Sequence, residues 1–531
     1  MSGERAADSA SSGVDSSVGS HRSERLSRLE ATEFDVLVVG GGITGAAVAE
    51  EAATRGASVA LIERDDFATG ASGHTSKLLH GGLRYLEHGK VGLVREALRE
   101  RSRLLSQLDP SWVHPIPFLL PLRGSLGSRL RNRFGTWLYE RLAGGRRLGP
   151  RSILDRGRVL ELVPALDPTE LHGGVLYWEA IVDDVALTLF RVESAARAGA
   201  LVANHVEAIA SKRESSGLFR VRGWDTLTGR ELAIRSRSVV DATGAWMGRV
   251  PILSEHAPHL APSKGIHLVF RREKLPINVA VVLPGPDGRP TFVLPAGSLL
   301  IMGTTDTAYG GNPGEVQAEP PDVEYLLRTL RQGFPSVPFS LADAVDVFAG
   351  VRPLLAATAS DTSDLSREDV EAYDPNGAVA VAGGKLTTHR AMARRAVRLL
   401  PIAQGAAIRG EGSVARPSLP SLASEPQGIS EGTELVARLV RDPRPEDWES
   451  LRLRVISATT TGQAESIEDV LDRRLHALNR REAGFETVVR AVADLMTREA
   501  GGTEESRDGA IRAYLGRRQY EYAATQGGGN G

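Results

Sequence analysis

Gly40, Gly42 and Gly45 are spaced G-x-G-x-x-G, and Glu63 follows 18 residues after the last of them. That pattern suits a dinucleotide. The first glycine permits a tight turn, the second lets backbone approach a pyrophosphate, and the third lets a helix pack close to the preceding strand. The N-terminus of that helix offers N–H groups and a positive dipole end to the anion. An acidic side chain at Glu63 accepts hydrogen bonds from the adenosine ribose hydroxyls and repels a 2′-phosphate, which argues against NADP. NAD and FAD are not separated by this unit alone.

These residues need a strand, a helix and a second strand to hold them. Residues 34–39 (FDVLVV) form a short apolar run, residues 43–55 read as a helix rich in small side chains, and residues 58–63 (SVALIE) read as the next strand. Further on, residues 91–108 have helical periodicity, and residues 184–198 read as a helix with Asp183 or Asp184 as its N-cap. Strand-like runs crowd together at 218–222, 239–242, 266–270, 279–283, 291–294 and 299–302, which predicts an antiparallel sheet in a second domain. Residues 378–382 (AVAVA) are another buried strand, followed by two glycines and a helix over about 387–400. Residues 403–430, rich in Pro, Ser and Gly, read as a linker, and residues 431–515 as helical without strands.

The 531 residues are too many for one ordinary core. Sixty-four basic and 66 acidic side chains leave a net charge of -2, which gives no global pull toward nucleic acid. With no cysteine, disulfides, thiolate nucleophiles, iron–sulfur clusters and a cysteine-linked flavin are excluded. No metal site is expected. No apolar run approaches the roughly 20 residues of a membrane span. The N-terminal 32 residues, Ser- and charge-rich without an apolar stretch, read as a disordered tail, as does the GGGNG end at 527–531.

Five further segments, in order, are SKLLHGGLRYLE (76–87), DATGAW (241–246), GTTD (303–306), GVRPL (350–354) and GGKLTT (383–388). Over about residues 33–400 the chain resembles the FAD-dependent glycerol-3-phosphate dehydrogenases, within the D-amino-acid-oxidase-like flavoproteins. EDVLDRR at 468–474 resembles that family's C-terminal helical domain, although the linker and helical end are shorter than is typical. The resemblance implies an α/β architecture: a Rossmann-like FAD-binding domain from residues 33–90, 185–250 and 345–402, an inserted β-rich substrate domain from 91–184 and 251–344, and a helical domain over 431–520. It implies oxidation of glycerol 3-phosphate, with a hydride passing to the flavin and electrons passing on to a quinone.

Within that expectation, His267 is the candidate base, because a near-neutral imidazole suits alcohol deprotonation. Arg84 and Tyr85 are candidate substrate ligands, since arginine forks match phosphate oxygens. By resemblance, Arg352 and Arg367 also face the substrate, with Arg352 stabilising the reacting oxygen. Lys385 reaches phosphate or flavin. Gly384, Thr387 and the helix after them form a second dipole end for the flavin edge. Ser76 and Lys77 are expected in the loop crossing pyrophosphate and flavin, His80 beside the flavin, Gly244 in the cofactor cradle, Asp306 ordering its turn, and His74 as structural. Carboxylate binding uses similar cations, so 2-hydroxy acids or amines, and oxygen as acceptor, remain alternative chemistries. A flavin-binding protein without turnover is the reading from a different class.

Residues 128–147 place Leu130, Phe134, Trp137, Leu138 and Leu142 on one helical face, with Arg129, Arg131, Arg133, Arg141, Arg146 and Arg147 around it. A helix lying in an anionic membrane interface has that pattern, and so does one packed on the rest of the protein. With the resemblance, the expected location is the cytoplasm, peripheral on the inner face of the membrane.

Overall fold

The computed structural model describes residues 18–249, 258–356, 369–373, 377–400, 431–500 and 502–526. An eight-stranded sheet runs in the order Asp369–Tyr373, Ala378–Gly383, Arg230–Asp241, Glu33–Val39, Val59–Ile62 and Leu201–Ala203. Val206–Arg213 and Phe219–Asp225 add antiparallel strands to Arg230–Asp241. The central pairs are parallel, with Val38 opposite both Leu61 and Val240. Every residue of Val59–Ile62 is buried, as expected for parallel strands covered on both faces.

One face is covered by helices Ile43–Thr54, Asp184–Arg197 and His389–Arg398. Small residues (ITGAAVAEEAAT) let the first of these sit close to the sheet, and Gly56 at φ +89° follows its end. The second is capped by Asp183, whose carboxylate accepts from Ala186 N at 2.8 Å. The other face carries Leu26 and Leu29 of a helix at Val18–Ala31, within the stretch expected to be a tail. Arg22 of that helix donates to Asp225 Oδ1 at 2.6 Å and to Asn204 O at 3.0 Å, both buried. Two leucines three apart in a polar run are a weak signal; the docking surface that makes them a helix is supplied by distant strands.

The second sheet has ten strands. Its path is Thr307–Ala308, Ser263–Arg271, Leu299–Gly303, Pro290–Ala296, Ala280–Pro284, Val113–Pro121, Gly174–Val182 and Leu78–Leu79. Ala344–Arg352 pairs with Ser263–Arg271, and Ser152–Leu154 with Gly174–Val182. Two sequence expectations are corrected here. Runs 218–222 and 239–242 belong to the first sheet, and residues 78–79 and 344–352 belong to the second. A strand pattern records burial and says nothing about which sheet completes its hydrogen bonds.

Helices Glu431–Arg441, Pro445–Thr460, Phe485–Ala500 and Glu504–Thr525 enclose a separate core that includes Leu435, Leu451, Val489 and Tyr514. The helical character expected over 431–515 is present and continues to Thr525, but it is broken between Thr460 and Phe485, where a π-helical turn at Asp469–Arg474 lies within a largely irregular stretch. Arg474 pairs with Asp66, His205 with Asp469, and Arg480 with Asp346, which ties this domain to both sheets. The expected linker at 403–430 and the 527–531 end lie outside the described residues.

Candidate functional site

Gly40 leaves its strand at φ +107°, where a Cβ would lie 2.5 Å from Ala242 O. A Cβ on Gly45 would lie 1.9 Å from Gly40 O, so the helix can approach the turn only as glycine. At Gly42 a Cβ would meet Ser72 Oγ at 2.9 Å. Ser72 itself accepts from Ile43 N at 2.9 Å and so satisfies one amide of the helix end. Glu63 accepts from Gly41 N at 2.6 Å and Asp65 N at 3.0 Å. Burial raises its carboxyl to about 7, an effect those two N–H groups only partly offset.

From this cradle a continuous cleft of about 2400 Å³ runs between the two sheets. It passes Gly42, Glu63, Ser76 and Gly244 and reaches His80, Arg84, Tyr85, His267, Arg352, Gly384, Lys385 and Thr387. The structure therefore gathers most of the expected site residues along one cavity. Gly244, at φ +59°, has no atom within 4 Å of where a Cβ would stand. Gly45 lies behind the wall and acts through packing. Arg367 lies outside the described residues.

His267 and Arg352 stand on adjacent antiparallel strands, with Arg352 opposite Ser263. Arg352 Nη2 donates to Thr304 Oγ1 at 2.8 Å and Thr305 O at 3.0 Å, and Nη1 lies 3.5 Å from Asp306 Oδ1. Asp306 also bonds Ser263 and pairs with Arg289, so it orders its turn and fixes the guanidinium as well. His267 is 2% exposed, its ring stacked on Phe348 at 4.7 Å, and Nε2 lies 2.9 Å from Ser76 Oγ. Burial, then the charges of Arg352 and Lys77 and the neighbouring His74, hold the imidazole well below its usual range, so it is neutral near pH 7. Lys385 Nζ sits 3.6 Å from the centre of the Tyr85 ring, on whose short helical turn Arg84 is exposed. Thr387 Oγ1 donates to His80 O at 3.2 Å, which joins the second glycine turn to the first motif loop.

Lys77 departs from expectation. It follows Ser76 at φ +56°, and its side chain turns inward, away from the cleft. Nζ donates to Gly73 O at 2.9 Å and Asp184 Oδ1 at 2.6 Å, and lies 2.9 Å from His476 Nε2. All three ammonium protons are thus engaged within the protein. A motif places a residue in a loop; backbone φ decides which side of the loop its side chain serves. His74 is held by Gly70 O at 2.9 Å from Nδ1, and burial lowers its pKa well below the usual value.

Sequence reasoning missed Ser72, Phe348, Asp184 as a ligand of the Ser76 loop, and His476. Only the adjacent acids Asp183 and Asp184 carried a signal, and it was used for helix capping.

Residues 35–399 match the model of the FAD dependent oxidoreductase family. The chain is 40% identical over 378 residues to a glycerol-3-phosphate dehydrogenase of Mycobacterium leprae, covering 71% of this chain and 64% of that protein. It therefore spans under two thirds of that relative. It is 36% identical over 378 residues to an aerobic glycerol-3-phosphate dehydrogenase of Staphylococcus saprophyticus, covering 70% and 68%. The fold is similar to a glycerol-3-phosphate dehydrogenase from Bacillus halodurans complexed with FAD, with TM-score 0.69, 25% identity and coverage of 94% and 97%. The cofactor is FAD, and the residues present fit it: a glycine cradle that tolerates no side chain at two positions, an acid at the ribose end, and a cleft long enough to continue past a second glycine turn.

Proposed function

The chain belongs to the FAD-dependent oxidoreductase family, and on that premise we propose that it oxidises sn-glycerol 3-phosphate to dihydroxyacetone phosphate. The observation that carries the reading is that three cations, Arg84, Arg352 and Lys385, line the same cleft as the hydrogen-bonded Ser76–His267 pair and the glycine cradle. Relatives named glycerol-3-phosphate dehydrogenase at 36–40% identity support the substrate.

Bound FAD supplies a hydride acceptor at N5. Gly40, Gly42 and Gly244 would admit its backbone-contacting parts, Glu63 its ribose, and Gly384 and Thr387 its ring edge. Arg84 and Lys385 bind the phosphate, with Tyr85 beneath Lys385 and Arg367 on the same task. Arg352, braced from behind by Thr304, Thr305 and Asp306, presents charge to the C2 oxygen without having to reorganise. The C2 hydroxyl proton passes to Ser76 Oγ as the Ser76 proton passes to His267 Nε2. A neutral imidazole is the form that can take it.

The electron acceptor we assign is a membrane quinone. Support comes from the Leu126–Ala143 helix, which exposes Leu126, Leu130, Phe134 and Trp137. Arg131, Arg133 and Arg141 are exposed on the same helix, and Arg131, Asn132 and Phe134 also line the cleft. No helix among the described residues is long and apolar enough to cross a membrane, so the contact is with its surface.

The test is an anaerobic absorbance spectrum of the purified flavoprotein. Flavin bands should bleach with glycerol 3-phosphate and persist with glycerol or lactate. Bands that persist with glycerol 3-phosphate overturn the substrate, and bleaching by lactate overturns the phosphate role of the cations. Reoxidation by air as fast as by a quinone analogue would favour an oxidase.

A further inference from the structure

Among the described residues, the C-terminal helical domain supplies none to the cleft, yet one of its side chains reaches the loop that lines it. His476 follows the π-helical turn Asp469–Arg474, has φ +51°, and is buried. Its Nε2 lies 2.9 Å from Lys77 Nζ, and its Nδ1 lies 2.8 Å from Asp183 Oδ1, close though not aligned as a hydrogen bond. Because Lys77 can only donate, Nε2 must be the accepting nitrogen, which leaves the imidazole proton on Nδ1 toward Asp183.

Asp183, Asp184 and His476 are near enough to suggest a metal cage. The Lys77 ammonium already supplies the positive charge those carboxylates need, at 2.6 Å from Asp184. The cluster is therefore a clamp on the Ser76 loop. Asp184 Oδ2 accepts from Thr75 N at 3.0 Å and Thr75 Oγ1 at 2.7 Å, and Thr75 Oγ1 accepts from Lys77 N at 2.9 Å. Ser76 stands between two residues tied to one carboxylate. Its own hydroxyl points the other way, to His267 at 2.9 Å. Lys77 holds a left-handed backbone that side chains rarely adopt, and such a conformation persists only where its surroundings over-determine it. Three acceptors do so here: one from the loop itself, one from the Asp184–Arg197 helix and one from the C-terminal domain.

We propose that His476 is a positioning residue for the reaction: by accepting from Lys77 it fixes the loop that sets Ser76 on His267, so the helical domain completes the proton-accepting pair from outside the cleft. The catalytic part of this inference rests on the function proposed above.

The experiment compares two substitutions of similar volume in the holoenzyme, His476→Gln, which keeps a strong acceptor, and His476→Met, whose thioether is only a weak one. Flavin content is checked first, and Tyr514→Phe serves as control. That change breaks a buried bond to Asp472 in the same domain without touching Lys77. Amide exchange at Thr75 and Lys77 is read without substrate, and kcat and KM with glycerol 3-phosphate. In His476→Met we expect exchange at both amides to rise about tenfold or more and kcat to fall about tenfold, with KM within about twofold. His476→Gln should restore both, and Tyr514→Phe should leave the two amides unchanged. Wild-type exchange in His476→Met, or equal impairment of the two variants, overturns the proposal. If glycerol 3-phosphate is not the substrate, the exchange arm still decides it.

Discussion

Replacing Glu63 by glutamine in flavin-free protein isolates the cost of burying its charge. The carboxyl titrates near 4.5 when unfolded and at about 7 in the fold. That difference corresponds to about 3 kcal/mol. Because the folded state holds this proton more tightly, the contribution is fully present below about pH 4.5 and is lost as pH rises through about 7. Glutamine keeps one accepting oxygen for the N–H groups of Gly41 and Asp65 and does not titrate. Urea unfolding of both proteins at pH 5 and pH 8, followed by tryptophan fluorescence, gives the difference in stability at each pH. Other titrating groups are common to the pair and cancel. The difference should move in favour of glutamine by about 2–3 kcal/mol between the two conditions. An equal difference at both would refute the reasoning, since it would mean that the two backbone donors fully compensate the burial of the carboxylate.

Other outcomes follow from the cleft. With His267 held neutral by burial and by Arg352, Lys77 and His74, the acid limb of kcat/KM should lie below pH 6.5. His267→Ala should lower kcat by about 10²-fold or more, and a limb at or above 6.5 would count against the assignment. Arg352→Ala should cost about 10²–10³ in kcat, and Arg352→Lys should recover little, because an ammonium cannot reach Thr304, Thr305 and the substrate oxygen together. Gly45→Ala should purify without flavin absorbance, since its Cβ would fall 1.9 Å from Gly40 O. Leu130→Glu should reduce sedimentation with anionic vesicles and leave turnover with a soluble dye acceptor unchanged.

What the sequence made legible was local. Gly40, Gly42, Gly45 and Glu63 sit within one strand–helix–strand unit, so their joint role follows from spacing alone. His267, Arg352 and Lys385 are far apart along the chain, and only whole motifs brought them together. Lys77 was assigned to the cofactor because its neighbours belong there, and a single positive φ sends its side chain elsewhere. His476 lies 399 residues from the lysine it meets, and nothing near it in the chain records that contact. The Val18–Ala31 helix was illegible for the same reason: Leu26 and Leu29 look like a tail until strands from residues 201–239 provide their floor.

The strand order of the first sheet has a consequence for how the protein is made. Glu33–Val39 is completed on one side by Val59–Ile62, which follows one helix later, and on the other by Arg230–Asp241, which in turn waits for Ala378–Gly383. A ribosome adding about 5–20 residues per second needs on the order of 10–40 s to travel from Glu33–Val39 to Arg230–Asp241, and roughly 7–30 s more to pass Ala378–Gly383. Throughout that interval the nucleotide-binding turn is already synthesised while the sheet beneath it has an open edge. Ala242, whose carbonyl fits against Gly40, arrives only with the middle strand. Flavin loading is therefore expected only after Arg230–Asp241 has been made, and until then the nascent chain is expected to expose an apolar parallel edge of the kind that chaperones protect.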